Sequence, residues 1–150
     1  NGLCRFNRQG AFNVPFGRYT RPRFPDRELA ALLDRGERMA FVVMNFTDCM
    51  AQAQAGDVIY CDPPYLPLTP TASFTAYNGF NFTLLQQQQL AEIASASARR
   101  GITVLISNHD TPTVRQLYRE AAAIHPIEVR RTIGCRSRAV VPELLALFQP

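Results

Sequence analysis

Four consecutive residues, Asp62-Pro63-Pro64-Tyr65, combine a carboxylate, two prolines and an aromatic ring directly after the β-branched run Val58-Ile59-Tyr60-Cys61. Each proline fixes φ and removes a backbone donor, so a strand arriving here has to end. What is left is a stiff corner that offers a carboxylate, main-chain carbonyls with no N–H beside them, and a ring face. Such a corner suits chemistry on a flat amine, with acceptors for its N–H groups and a ring to stack against it. In open α/β sheets ligands bind just beyond the carboxyl ends of strands. The plainer account is a strand-ending turn without chemistry. Against it stands a second strand candidate, Ile102–Ile106, which follows about one helix later and ends in the polar cluster Ser107-Asn108-His109-Asp110.

The elements that must position this corner read as follows. Asp26 opens and caps a helix to about Arg35, with Leu29, Leu32 and Leu33 on one face and Gly36 ending it. Ala40–Phe46 reads as a short buried strand, and Asp48–Gln54 as a short helix stopped by Gly56. After the strand Val58–Cys61, the stretch 66–81 is a long loop suited to a lid or substrate clamp. Thr83 with Gln86 forms a capping box for a helix to Arg100 that buries Leu90, Ile93 and Ala94. The run Gln86–Gln89 reads as its solvated face, not as a site. Gly101 closes that helix before Ile102–Ile106. Thr111 caps the next helix with Pro112 in its first turn, and Val114, Leu117, Tyr118 and Ala121 mark its buried face. Ile127–Ile133 alternates as a strand, Gly134–Arg138 is a basic turn, and Val141–Phe148 is a last strand, with a helix as the competing reading for Leu144–Leu147. From residue 58 the order is β-α-β-α-β-β, which predicts a mostly parallel sheet with helices on its faces and an antiparallel pair at the end.

Composition bounds the rest. At 150 residues the chain can bury one core. No apolar run reaches the roughly 18 residues of a membrane-spanning helix, so no membrane partner is expected. Its 16 basic residues, all arginine, exceed 12 acids for a net charge of +4, a balance that permits nucleic-acid binding without establishing it. Cys4, Cys49, Cys61 and Cys135 match no zinc spacing, and no metal is expected. Reduced thiols in a cytoplasmic protein account for them most simply. Residues 1–25 interleave Arg5, Arg8, Arg18, Arg21 and Arg23 with Phe6, Phe12, Phe16, Tyr19 and Phe24, broken repeatedly by Gly and Pro. This pattern suits a surface that grips a phosphate backbone and reaches base edges, or equally a solvated basic loop with its rings turned inward.

Asp62-Pro63-Pro64-Tyr65 after an apolar strand resembles motif IV of the amino-group methyltransferases that use S-adenosylmethionine. Four further blocks resemble the Dam-type DNA adenine-N6 methyltransferases: Asn1-Gly2-Leu3-Cys4-Arg5-Phe6-Asn7, Phe12-Asn13-Val14-Pro15-Phe16-Gly17-Arg18-Tyr19, Phe74-Thr75-Ala76-Tyr77, and Leu105-Ile106-Ser107-Asn108-His109-Asp110. The resemblance covers nearly the whole chain. It implies an α/β fold: a Rossmann-like methyltransferase sheet, mostly parallel with an antiparallel end strand, incomplete, with part of a target-recognition segment at the N-terminus. Residues 1–39 would belong to that segment and 40–150 to a catalytic half-domain. The implied reaction moves a methyl group from S-adenosylmethionine to N6 of a flipped adenine, in GATC. The implied partner is double-stranded DNA, in the cytoplasm of a bacterium or phage host and associated with the nucleoid. A monomer is expected of the full-length protein. Arg5 would read the outer guanine, Asn1 would lie near the flipped or intercalated step, and Leu3, Asn7, Pro15, Arg18 and Tyr19 would lie near bases and backbone.

The exocyclic amine of adenine is a poor nucleophile because its lone pair is delocalised into the ring. An enzyme must hold both N–H groups as the nitrogen turns tetrahedral. Asp62 can accept one, the Pro63 carbonyl can accept the other, Pro64 stiffens the corner, and Tyr65 can stack on the base. Fixed acceptors stabilise developing positive charge without reorganising. A duplex base reaches such a corner only by flipping out, at a cost of a few kcal/mol. Ser107 and Asn108 are candidates to line the base pocket. His109 and Asp110 point opposite ways as strand neighbours and are read as structural, not as a dyad. Two other classes compete: a cytosine-N4 or RNA-adenine methyltransferase, and a non-catalytic DNA-binding remnant.

The chain departs from the family pattern at Thr20, where a Lys is common, and in the short turn Gly134–Arg138. It also holds no G-x-G, and neither glycine-rich block of the family's donor pocket. Asp62 is thus the one cofactor-binding candidate here. The expected outcome is that the isolated chain neither methylates DNA nor binds S-adenosylmethionine with normal affinity. Calorimetric titration checks this, and tight donor binding would contradict it.

Overall fold

Strand order in the sheet follows from which apolar runs find partners. The computed structural model describes residues 6–14, 20, 24–66, 82–130 and 140–150. Four strands, β1 (Val58–Cys61), β2 (Thr103–His109), β3 (Ala123–Arg130) and β4 (Val140–Phe148), form one sheet in the order β1-β2-β4-β3. β1 pairs with β2 in parallel, Cys61 opposite Ile106. β4 is antiparallel to both β2 and β3. β1, β2 and β3 therefore share a direction, as expected, but only the β1–β2 ladder is parallel, because β4 inserts between the other two. β4 is a strand throughout, which removes the helical alternative for Leu144–Leu147.

The described residues from Met44 onward, with the sheet and its helices, belong to one compact unit; those up to Val43 belong to another. In the larger unit the helices are α2 (Phe46–Ala51), α3 (Leu84–Arg99) and α4 (Pro112–Leu117), with α3 packed against β2, β4, α2 and α4. Their inner residues meet Val104, Ile106, Leu144, Ala146 and Phe148 on one sheet face, and Leu90, Ala94, Val114 and Tyr118 complete a core closed to solvent. The alternate residues Thr103, Leu105, Leu145 and Leu147 are only partly buried. Within this unit, then, the described helices cover one face of the sheet. No helix among them is long and apolar enough to cross a membrane.

Local signals governed several boundaries. The capping box at Thr83 and Gln86 is present in full. The Thr111 hydroxyl accepts from the Val114 N–H, with Pro112 in the first turn. Other expectations are corrected. Ala40–Phe46 is not a buried strand: Phe41, Val42 and Val43 are 86%, 63% and 106% exposed and no described strand pairs with them. Asn45 instead caps α2 by accepting from the Thr47 N–H, so the helix begins at Phe46, two residues before the expected Asp48. The first helix, α1 (Asp26–Asp34), is preceded by Pro25 with no side-chain cap, so Asp26 sits in its first turn and does not cap it. Leu29, Leu32 and Leu33 are exposed. Gly36 does not end α1; Arg35 closes it and Gly36–Arg38 continues as a 3-10 turn. β2 runs on through Ser107, Asn108 and His109, which were expected beyond its end. β3 begins at Ala123, four residues before the expected Ile127, and contains Pro126 opposite Leu144. A proline is tolerated there because β3 is an edge strand, where a missing N–H removes no ladder bond.

α3 ends in a tight closure. The Ile102 N–H bonds the Ser97 carbonyl and the Gly101 N–H bonds the Ala98 carbonyl, a Schellman pair. Gly101 has φ +86°, and a Cβ there would stand 3.1 Å from the Ala55 Cβ. Gly101→Ala is therefore expected to destabilise the protein by about 1–2 kcal/mol through its left-handed backbone, plus whatever the Ala55 contact adds. Urea unfolding of the two proteins checks this.

Candidate active site

The parallel ladder sets the position of the corner. With Cys61 opposite Ile106, the next residues, Asp62 and Ser107, come side by side as β1 leaves the sheet. The Ser107 hydroxyl donates to Asp62 Oδ1 at 2.8 Å, and the Tyr60 hydroxyl donates to Ser107 Oγ at 3.2 Å. Asp62 itself is exposed, so its carboxylate faces solvent and not the apolar interior. Its Oδ2 has no hydrogen-bond partner among the described residues.

Beyond Asp62 the chain is pinned from below. Gln87 on α3 donates from Nε2 to the Pro64 carbonyl at 2.7 Å. Asn108 Oδ1 accepts from the Leu66 N–H at 3.4 Å, and His109 Nδ1 donates to the Leu66 carbonyl at 2.8 Å. The carbonyl can only accept, which fixes the proton on Nδ1. Tyr65 stands edge-on to the His109 ring, centroids 4.9 Å apart, and its hydroxyl donates to Glu143 Oε2 at 3.4 Å. Tyr65 remains half-buried and is not sealed off from solvent. Asp110 turns away to a two-pronged pair with Arg115 at 2.6 and 2.8 Å, so His109 and Asp110 do not form a dyad.

The glutamine run is a further correction. Gln88 and Gln89 are exposed and Gln86 closes the capping box, but Gln87 is fully buried. Its signal was present: Gln87, Leu90, Ala91, Ala94 and Ala98 share one helical stripe at i, i+3, i+4, i+7 and i+11. A polar residue on that stripe needs buried partners. Tyr60, Tyr118 and Glu143 also carry polar contacts that periodicity alone did not assign.

Burial dominates the electrostatics. It pushes the Tyr65 hydroxyl up to about 12, with the nearby Ser107 hydroxyl pulling the other way and Glu143, Asp62 and Tyr60 adding to the rise. Burial likewise raises Tyr118 to about 12, and Cys61 to about 11 with help from Cys49. The Arg115 hydrogen bond holds the Asp110 carboxyl below its usual value. Among the described residues no three His, Cys, Asp or Glu side chains gather as a metal site requires. An open groove of about 730 Å³ runs between α3 and α4 and a smaller one lies near the C-terminus; neither includes Asp62 or Tyr65.

Of the residues expected to touch nucleic acid, Asn7 is described and is a loop staple. Its Oδ1 accepts from the Gln9 and Ala11 N–H groups at 3.0 and 2.9 Å, beneath the Phe6–Phe12 bridge, whose rings meet edge-to-face. Asn1, Leu3, Arg5, Pro15, Arg18 and Tyr19 lie outside the described residues, as do 67–81 of the expected lid and the turn Gly134–Arg138.

The family profile described as D12 class N6 adenine-specific DNA methyltransferase matches residues 1–133. A DNA adenine methylase of Vibrio cholerae is 50% identical over 153 residues, covering 100% of this chain and 55% of its own length. The DNA adenine methylase of Escherichia coli K12 is 50% identical over 152 residues, 100% of this chain and 54% of its own. That of Serratia marcescens is 48% identical over 152 residues, 99% of this chain and 56% of its own. The chain thus spans about half the length of the curated relatives it matches.

The raised hydroxyls make stability depend on pH. The folded state keeps protons that the unfolded chain releases above about 10.0 for Tyr65 and Tyr118, and above about 9.0 for Cys61. Their contribution is full below those values and is lost as pH climbs through the folded ones. The melting temperature is expected to fall between about pH 9 and 12, with Tyr118→Phe flattening the fall. Melting curves that coincide over that range would contradict it.

Proposed function

Because this chain belongs to the D12 class N6 adenine-specific DNA methyltransferases, we propose that it carries the amine-binding corner of an enzyme that methylates N6 of adenine in double-stranded DNA, within GATC. The supporting observation is the state of Asp62: one oxygen is fixed by Ser107 at 2.8 Å while the carboxylate as a whole is exposed. A fixed acceptor with a second oxygen to spare is what an N–H donor from outside the protein requires.

In this reading the adenine amine lies across the corner. Asp62 Oδ2 accepts one N6–H and the Pro63 carbonyl the other. Both are held before the substrate arrives, so positive charge developing on nitrogen meets acceptors that need not move. Pro64 denies the corner a competing donor. Tyr65, steadied by Glu143 and His109, presents its ring to the base. S-adenosylmethionine, the methyl donor in this reading, supplies an electrophilic methyl on positively charged sulfur, and the nitrogen lone pair forms the new bond. The surplus N6 proton then leaves toward Asp62 and water. Asp62 is the residue of this chain assigned nearest the transferred methyl. Neither described groove touches the corner, so no residue here is assigned to the donor's adenosyl part.

The adenine reaches the corner by leaving the duplex, at a cost of a few kcal/mol. Residues 1–39 would offset that cost by binding the distorted DNA. Arg5 is assigned to the outer guanine, Asn1 to the opened step, and Leu3, Pro15, Arg18 and Tyr19 to bases and backbone. Asn7 is assigned to shaping the loop that bears them, since its side-chain oxygen is held by Gln9 and Ala11.

Asp62→Ala in the full-length protein is the test. Methylation of a GATC duplex is expected to drop by about a hundredfold or more, with DNA affinity kept within about threefold. A variant that methylates like its parent removes the assignment, and a parent that binds DNA without methylating it favours the non-catalytic reading.

A further inference from the structure

Three polar residues lie fully buried beneath the corner: Gln87 on α3, Asn108 on β2 and Tyr118 just after α4. Asn108 Nδ2 donates to the Tyr118 hydroxyl at 3.0 Å and to Gln87 Oε1 at 3.2 Å, and the Tyr118 hydroxyl donates to Gln87 Oε1 at 3.4 Å. The ring is closed, and it dictates the orientation of the Gln87 amide. With two donors facing its oxygen, its NH₂ must point the other way, where the Pro64 carbonyl accepts at 2.7 Å.

The consequence lies in the backbone. The Pro64 ring already fixes φ, and the Gln87 bond fixes the carbonyl, so the peptide plane between Pro64 and Tyr65 is set at both ends. Neither the Pro63 carbonyl nor Asp62 Oδ2 has a hydrogen-bond partner among the described residues. Burying three polar side chains under an apolar sheet face is costly unless each is satisfied. Here their satisfaction ends on one main-chain oxygen of the corner. We propose that Gln87 is a positioning residue for methyl transfer: by engaging the Pro64 carbonyl it sets the plane from which Tyr65 departs and leaves the Pro63 carbonyl as the backbone acceptor for the substrate amine. This rests on the amine-binding reading of the corner and adds a device that holds it.

The test uses the full-length protein and a duplex with one GATC site. Gln87→Met removes the amide. Gln87→Leu also removes the amide, with a branched apolar chain, because a buried carboxyl in its place would stay protonated and still donate to Pro64. Single-turnover methyl transfer at saturating DNA is expected to slow by about tenfold to a hundredfold in both, with the DNA Kd within about threefold. Tyr118→Phe, which leaves the Gln87–Pro64 bond in place, is expected to stay within about threefold of the parent in rate. Parental rates in both Gln87 variants, or losses that merely track lost folded protein or lost DNA binding, would overturn the positioning role. Where Gln87→Met does not fold, Gln87→Leu decides. Asp62→Ala is measured alongside. If it stays active, the amine-binding corner itself is rejected; if it is inactive while the Gln87 variants match the parent, only the positioning role is rejected.

Discussion

The hydrogen bond from Ser107 to Asp62 depends on the register of a short parallel ladder, and the placing of the corner's carboxylate depends on that bond. β1 contributes only Val58–Cys61, but its pairing with β2 puts Cys61 level with Ile106. A slip of one residue would turn every side chain of β1 to the other face. Ser107 would then meet Cys61 or Pro63, neither of which has a side-chain acceptor for a hydroxyl comparable to a carboxylate. The buried stripe of β2 that packs on α3 guards the register, because Val104 and Ile106 occupy a core with no room for a shift.

The corner is thus held from two directions by different means. Along the strand, apolar burial sets where Asp62 falls. From below, the chain after Asp62 is held by directional bonds: Gln87 on Pro64, and Asn108 and His109 on Leu66. Neutral hydrogen bonds of this kind add little net stability, about 0.5–1.5 kcal/mol each. Losing one partner inside the core costs more, because the other is left unsatisfied. The arrangement is therefore selective for geometry more than for stability, and it holds the carbonyls of Pro64 and Leu66 while leaving that of Pro63 open among the described residues.

How much of this was legible depended on how local the cause was. β1, the Thr83–Gln86 box, the Gly101 closure and the Thr111-Pro112 start were legible because each rests on chemistry within a few residues. Ala40–Phe46 misled because an apolar run states what should be covered without stating what covers it. Ser107, Asn108 and His109 read as a polar cluster beyond the strand, with Ser107 and Asn108 facing a base pocket, since hydroxyl, amide and imidazole groups can enter a core only when partners far away in sequence, such as Asp62, Gln87 and Tyr118, meet them. Gln87 was hidden by the three glutamines around it, which share its letter and not its face of the helix. Pro126 concealed the first half of β3, because a proline reads as a break until the strand is known to lie at an edge. The family resemblance pointed to Asp62–Tyr65 and was silent on the residues beneath it.

The two margins of the sheet differ in kind. β3 carries Pro126, and its register with β4 continues unbroken through that residue, so the ring nitrogen faces outward. A strand approaching from that side meets a gap in the row of donors and the bulk of a pyrrolidine. β1, at the opposite margin, has no proline between Val58 and Cys61, and Val58 and Tyr60 stand exposed there. Among the described strands, backbone donors run unbroken along the β1 margin and not along β3, so a further strand is accommodated more readily beside β1, where Asp62 ends the row.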